Sequence, residues 1–286
     1  MVLGGGGATG NAWLIGVVAG LLEAGLNVTD ADLVVGTSAG ATAAAQMTGA
    51  SPTALLADIL PAEPPQRTEP AGHGGRPAAA VADHMARTAA VFAAASDPAD
   101  MRRRMGAAAI ELDAAGDPSA QERWRATVGA RLPSREWPDR TLLVTAVDAR
   151  TGEPVVLDRH SGVALVDAVA ASTAGGPAYT VGDHRYVDGG YRSVENADLA
   201  VGHRRVLVLA PLGGRTRMPL EWGMHLAAQV EQLRASGSSV ATVVPDSSSE
   251  HLLGVNAMDL SLRPAAARAG RDLGRARAAQ LTEFWR

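Results

Sequence analysis

Two short apolar runs near the start of the chain each end in glycine and pass straight into a helix-forming stretch. This repeated strand–turn–helix pattern constrains the fold more than any other feature. Val2-Leu3 leads through Gly4 to Gly10 into a helix over 11–24, closed by Gly25. Leu33-Val34-Val35 leads through Gly36-Thr37-Ser38 into a helix over 39–48, closed by Gly49. Neither run alternates with polar residues, so both strands are expected to be buried on two faces. Strands that alternate with helices build a parallel sheet with helices on each side. The pattern resumes with strands at 142–146, 155–157, 206–209 and 241–244 and helices at 163–171, 220–235 and 264–284. The expectation is one domain over 1–286, of α/β class: a three-layer α/β/α fold with a mostly parallel central sheet.

Between the two halves the composition changes. Pro61, Pro64, Pro65, Pro70, Gly72, Gly74 and Gly75 predict a loop over 61–77. An Ala-rich helix over 77–95 follows. Asp97-Pro98 and Asp117-Pro118 each combine a capping residue with proline in the first helical turn. These helices carry Arg102, Arg103, Arg104, Arg123 and Arg125. The stretch 61–135 is therefore a helical insertion. Its charged face is either simply solvated or a lid that grips anionic head groups or a membrane surface.

The chain has no cysteine, which excludes disulfides, thiolate catalysis and Cys-ligated metals. Every basic residue is Arg, and the formal net charge of -4 leaves no basic field of the kind that binds nucleic acid. Aromatic residues are 3%, so the core must be built from Ala, Val and Leu. The apolar stretch Leu14 to Leu26 is interrupted by Gly16, Gly20, Glu23 and Gly25, too short and broken to span a bilayer. No charged segment followed by an apolar run precedes the first glycines. The sequence therefore reads as cytoplasmic, with membrane contact limited to a peripheral surface.

Gly36-Thr37-Ser38-Ala39-Gly40 matches G-x-S-x-G between a strand and a helix. A serine at such a sharp turn projects its hydroxyl, and flanking glycines remove side chains that would clash. Gly5-Gly6-Gly7-Ala8-Thr9-Gly10 also satisfies the dinucleotide-binding pattern. That reading needs an acidic residue after the second strand. Asp30 and Asp32 precede it, and Gly36 to Ser38 occupy the required place. No cofactor and no metal are implied. The alternative use of Gly5, Gly6, Gly7 and Ala8 is an oxyanion hole of unshielded backbone N–H groups. For the base, the chain offers His73, His84, His160, His184, His203, His225 and His251. His203 and His251 lie late enough for a Ser-His-Asp triad of the α/β-hydrolase order. Asp188-Gly189-Gly190, after the strand end Tyr186-Val187, offers a glycine-flanked carboxylate instead.

Taken together and in this order, these three motifs make the chain resemble a patatin-like phospholipase. The resemblance covers 1–50 and 140–210, and the middle and C-terminal parts in outline. It implies a Ser–Asp dyad without histidine, Ser38 as nucleophile, Asp188 as base, and hydrolysis of lipid acyl esters. Gly6 and Gly7 become oxyanion donors, and the glycines of both turns, Gly36, Gly40, Gly189 and Gly190, frame the dyad. One position departs: the glycine loop of many members ends Arg-Gly, where this one has Thr9-Gly10. Two other readings use the same turn: an esterase with a His-containing triad, and a non-catalytic binding protein that keeps only the geometry.

Overall fold

A computed structural model of the chain describes residues 1–60 and 78–285. The proline- and glycine-rich stretch 61–77, with His73, lies outside the described residues. The first strand β1 (Val2–Leu3) feeds α1 (Gly7–Glu23), and β2 (Leu33–Gly36) feeds α2 (Ala39–Gly49). The helix α3 (Pro52–Ile59) follows, and then the insertion helices α4 (Ala78–Ala94), α5 (Pro98–Ala114) and α6 (Ala120–Arg131). The second half contains β3 (Thr141–Asp148), β4 (Pro154–Leu157), α7 (Leu165–Ser172), β5 (Tyr179–Val181) and β6 (His184–Asp188). It ends with β7 (Arg205–Leu209), α8 (Leu226–Ala235), β8 (Ser239–Val243) and α9 (Arg263–Trp285).

The eight strands form one mixed sheet in the order β5-β6-β3-β2-β1-β7-β8, with β4 also pairing β3. The strands from β3 across to β8 are parallel, whereas β4, β5 and β6 enter as antiparallel partners. One face is covered by α1, α2, α7 and α9 around an Ala-, Val- and Leu-rich core, and the other by α8 and α5. This is the mostly parallel α/β sheet with helices on both sides that the strand–helix alternation predicts.

The differences from the sequence expectation have local causes. The helix α1 starts at Gly7 rather than at 11, because the end of the glycine loop itself forms the first helical turn. The helix expected over 220–235 splits into a short 3-10 turn at Leu220–Trp222 and α8, because Gly223 turns left-handed at φ 66°. Asp97 caps α5 as expected, its side chain accepting from Asp100 N–H, while α6 begins at Ala120, two residues beyond Pro118. The C-terminal helix is a core element. A Cβ on Gly16, Gly20, Gly270 or Gly274 would lie 2.1 to 2.3 Å from a carbonyl oxygen of the opposing helix, so α1 and α9 touch backbone to backbone. Among the described residues no helix is long and apolar enough to cross a membrane.

The arginines proposed as head-group ligands are already engaged. Arg102 donates to Gly152 O, Arg103 and Arg104 pair with Asp100, Arg123 with Asp117, and Arg125 with Asp167.

Candidate active site

The register explains how two residues 150 positions apart come together. Parallel pairing of β2 with β3 runs up to Gly36 opposite Val144, and antiparallel pairing of β6 begins with Asp188 opposite Ala146. The carboxyl ends of β2 and β6 therefore stop two residues apart along β3. Chain leaving the first end carries Ser38; the second end is Asp188 itself. Ser38 Oγ donates to Asp188 Oδ2 at 2.7 Å.

Ser38 has φ 53° and ψ -113°, and shares positive φ with only one other non-glycine among the described residues, Asn196. A side chain in that conformation is strained and persists only where its surroundings hold it. Four hydrogen bonds do so. Ser38 N–H donates to Ser172 Oγ at 2.9 Å, and Gly40 N–H to Thr37 O at 2.8 Å. Thr37 N–H donates to Leu3 O at 3.1 Å, and Thr42 N–H to Ser38 O at 3.1 Å. The two flanking glycines are needed for space: a Cβ on Gly36 would sit 2.6 Å from Ala41 Cα, and one on Gly40 would sit 1.9 Å from Leu3 O.

Asp188 is held from three sides. Its Oδ1 accepts from Gly190 N–H at 2.8 Å, and its own N–H donates to Ala174 O at 3.0 Å. A Cβ on Gly189 would meet Thr145 at 2.3 Å, so that glycine lets the turn lie against β3. Burial pushes the Asp188 carboxyl up to about 6, and hydrogen bonds from Gly190 and Ser38 restrain the rise. Ser38, Asp188, Gly190, Gly7 and Ala8 are each partly accessible in otherwise buried surroundings.

Within the glycine loop the donors divide. Gly4 N–H bonds to Leu209 O, Gly5 N–H to Val194 O, Thr9 N–H to Ala257 O and Gly10 N–H to Gly6 O. None of these bonds uses the N–H groups of Gly6, Gly7 and Ala8, at the start of α1. Gly5, expected as an oxyanion donor, instead ties the loop to the segment after Asp188, because its N–H is spent on Val194 O at 2.8 Å. Gly7 takes φ 63°, and a Cβ there would lie 2.6 Å from Ala257 O.

Several residues that support the site escaped the sequence reading. Ser172, fully buried at the end of α7, and Ala174 just beyond it hold Ser38 and Asp188 through the two bonds above. The only sequence signal is the small-residue run Ala171-Ser172-Thr173-Ala174-Gly175. Asn196 is a hub: its Nδ2 lies 2.9 Å from Thr37 Oγ1, 3.3 Å from Thr145 Oγ1 and 3.3 Å from Gly189 O. It links the Ser38 turn, β3 and the aspartate turn. Its left-handed backbone suits Asn, but nothing in the sequence nearby announces it. Of the two histidines considered as bases, His203 meets Ala200 O just before β7, at the amino end of the sheet, and His251 is exposed after β8. Ser38 is at the carboxyl end.

Glu195 is 1% exposed, packs against Gly4, and has an Oε1 without a hydrogen-bond partner. Burial pushes its carboxyl up to about 7. A carboxyl whose folded pKa is raised keeps a proton that the unfolded chain would release. Its contribution to stability is full below the unfolded value and is lost as pH rises through 7. Between pH 5 and 8 the wild type is expected to lose about 2–3 kcal/mol more stability than Glu195→Gln. Urea denaturation of both proteins at the two pH values measures this; parallel losses would show that Glu195 ionises freely in the fold.

The sequence matches no protein-family model and no curated protein.

Proposed function

We propose that the protein is a serine acyl-ester hydrolase that works through a Ser38–Asp188 dyad on lipid acyl esters. The observation that carries this reading is the 2.7 Å hydrogen bond from Ser38 Oγ to Asp188 Oδ2, made by a serine in a strained turn. A serine hydroxyl in an ordinary strand-to-helix turn would cap its helix, whereas the Ser38 side chain makes no capping hydrogen bond to α2.

The chemistry follows from the atoms present. Asp188 accepts the hydroxyl proton as Ser38 Oγ forms a bond to the ester carbonyl carbon. The carbonyl oxygen becomes an oxyanion facing the N–H groups of Gly6, Gly7 and Ala8, at the positive end of α1. Asp188 returns the proton to the departing alkoxide as the C–O bond breaks, leaving an acyl-serine. Water then repeats the sequence with Asp188 as base, releasing the carboxylic acid and free Ser38. An Asp with its ordinary pKa of about 3.9 is a weak base; burial is what raises Asp188 towards the working range. The resemblance to patatin-like phospholipases supports the lipid class of substrate.

A fluorophosphonate probe tests the nucleophile directly. The expected result is covalent labelling of the wild type at Ser38 and none of Ser38→Ala, with p-nitrophenyl acyl esters turned over by the former alone. A folded wild type that neither labels nor turns over would leave the site as a non-catalytic binding turn.

A further inference from the structure

The loop that carries the proposed oxyanion donors contains Gly4, Gly5, Gly6 and Gly7, and glycine has no side chain with which to hold a conformation. Its amino-terminal side is pinned by Gly4 N–H to Leu209 O and Gly5 N–H to Val194 O. Its carboxyl-terminal side ends in the peptide unit between Ala8 and Thr9. Both polar ends of that one unit are held by a segment some 250 residues away. The N–H, on Thr9, donates to Ala257 O at 3.0 Å. The C=O, on Ala8, accepts from Arg263 Nη1 at 2.8 Å. The same Arg263 nitrogen lies 3.2 Å from Asn11 Oδ1. Asn11 is in turn tied to α2, its Nδ2 donating to Gln46 Oε1 at 2.9 Å.

We infer that Arg263 is a positioning residue for ester hydrolysis: together with Ala257 O it clamps the Ala8–Thr9 peptide and so aims the N–H groups of Gly7 and Ala8 at the oxyanion. This rests on the hydrolase reading above. A planar peptide gripped at both ends cannot rotate about its flanking bonds. The next two peptides towards the amino end carry the N–H groups of Ala8 and Gly7, so their direction is inherited from the clamp. Pre-aimed donors stabilise the oxyanion because no reorganisation is needed as charge develops. A guanidinium suits the task, since it spans a carbonyl and an amide oxygen with hydrogen bonds strengthened by charge. The C-terminal segment is thus joined to the reaction through the backbone of the loop.

The test compares wild type, Ser38→Ala and Arg263→Ala on a monomeric p-nitrophenyl ester. Arg263→Ala is expected to lower kcat by roughly 10- to 100-fold with KM unchanged, because misaimed donors weaken transition-state binding and not ground-state binding. Tens of millimolar guanidinium chloride, well below denaturing levels, should restore part of that kcat while leaving the wild type unaffected. The Thr9 amide should also exchange with solvent faster in Arg263→Ala. An unchanged kcat in folded Arg263→Ala overturns the inference. So does a loss that guanidinium leaves untouched, which would mark a purely structural role. Should Arg263→Ala not fold, Arg263→Gln serves: a drop in kcat at constant KM supports the clamp, and an unchanged kcat overturns it. If the wild type itself fails to turn over the ester, the hydrolase reading falls. Amide exchange at Thr9 then still decides whether the clamp exists.

Discussion

Asp188→Asn is expected to lower ester turnover by about 10⁴-fold while the protein stays folded, the size of loss seen when the carboxylate of a serine catalytic unit is neutralised. Asn fits the same space and its Oδ1 can still accept from Gly190 N–H, the bond that orients Asp188 now. What changes is the other oxygen. In place of an acceptor 2.7 Å from Ser38 Oγ there is an amide that donates, so Ser38 loses the group proposed to take its proton. The wild type should also show an acidic limb in kcat/KM with a midpoint at about 6, because Asp188 must be ionised to act as base. Turnover rises with pH through that value. Circular dichroism and a p-nitrophenyl ester assay between pH 4 and 9 measure both effects. Retained turnover in folded Asp188→Asn would remove Asp188 as base and point to a histidine.

Gly40→Ala is the substitution with the largest expected effect on stability. The new methyl group would lie 1.9 Å from Leu3 O, 2.4 Å from Leu3 C and 2.9 Å from Gly4 O. All three are backbone atoms. They belong to the strand β1 and to the start of the glycine loop, so no side chain can swing aside. Relief would require α2 to move off the sheet, breaking the Thr37–Leu3 bond and the buried contacts of Ala41, Ala43, Ala44 and Ala45. A loss of more than about 4 kcal/mol is expected, enough to unfold a domain of ordinary stability. Gly129→Ala is the control. It lies in α6, and the nearest atom to its Cβ is Val166 Cγ2 at 3.5 Å. That change should be neutral or stabilising by up to about 1 kcal/mol, since Ala favours helix. Equal denaturation midpoints for wild type and Gly40→Ala would show that the α2–β1 approach is loose.

The turn that carries Ser38 was legible because its requirements are local. A strand, a glycine, a serine, a second glycine and a helix are consecutive in the chain, and each constrains its neighbour. The α/β class was legible for the same reason, since strands and helices alternate visibly on both sides of the insertion. The antiparallel strands β4, β5 and β6 were less so. Hairpin pairing at the edge of a parallel sheet depends on partners, and the short β5 carries no pattern that separates it from a turn. The split of the helix expected over 220–235 turned on the backbone angle of Gly223, which composition does not encode.

Ser38 and Asp188 stand differently in this respect. By itself the sequence determined that Ser38 sits on a strained strand-to-helix turn, since adjacent residues dictate that geometry. It offered Asp188 as a glycine-flanked carboxylate that only the family resemblance made the base, against His203 and His251. Tertiary structure alone decided that Asp188 meets Ser38. Whether two strand ends stop two residues apart depends on their register against β3, and register is a property of the assembled sheet. Tertiary structure likewise decided which N–H groups of the glycine loop are already bonded. Gly5 is spent on Val194, and the Ala8–Thr9 peptide is held by Ala257 and Arg263. A hydrogen bond consumes a donor irrespective of how far along the chain its acceptor lies, so only the folded molecule reveals which donors are free.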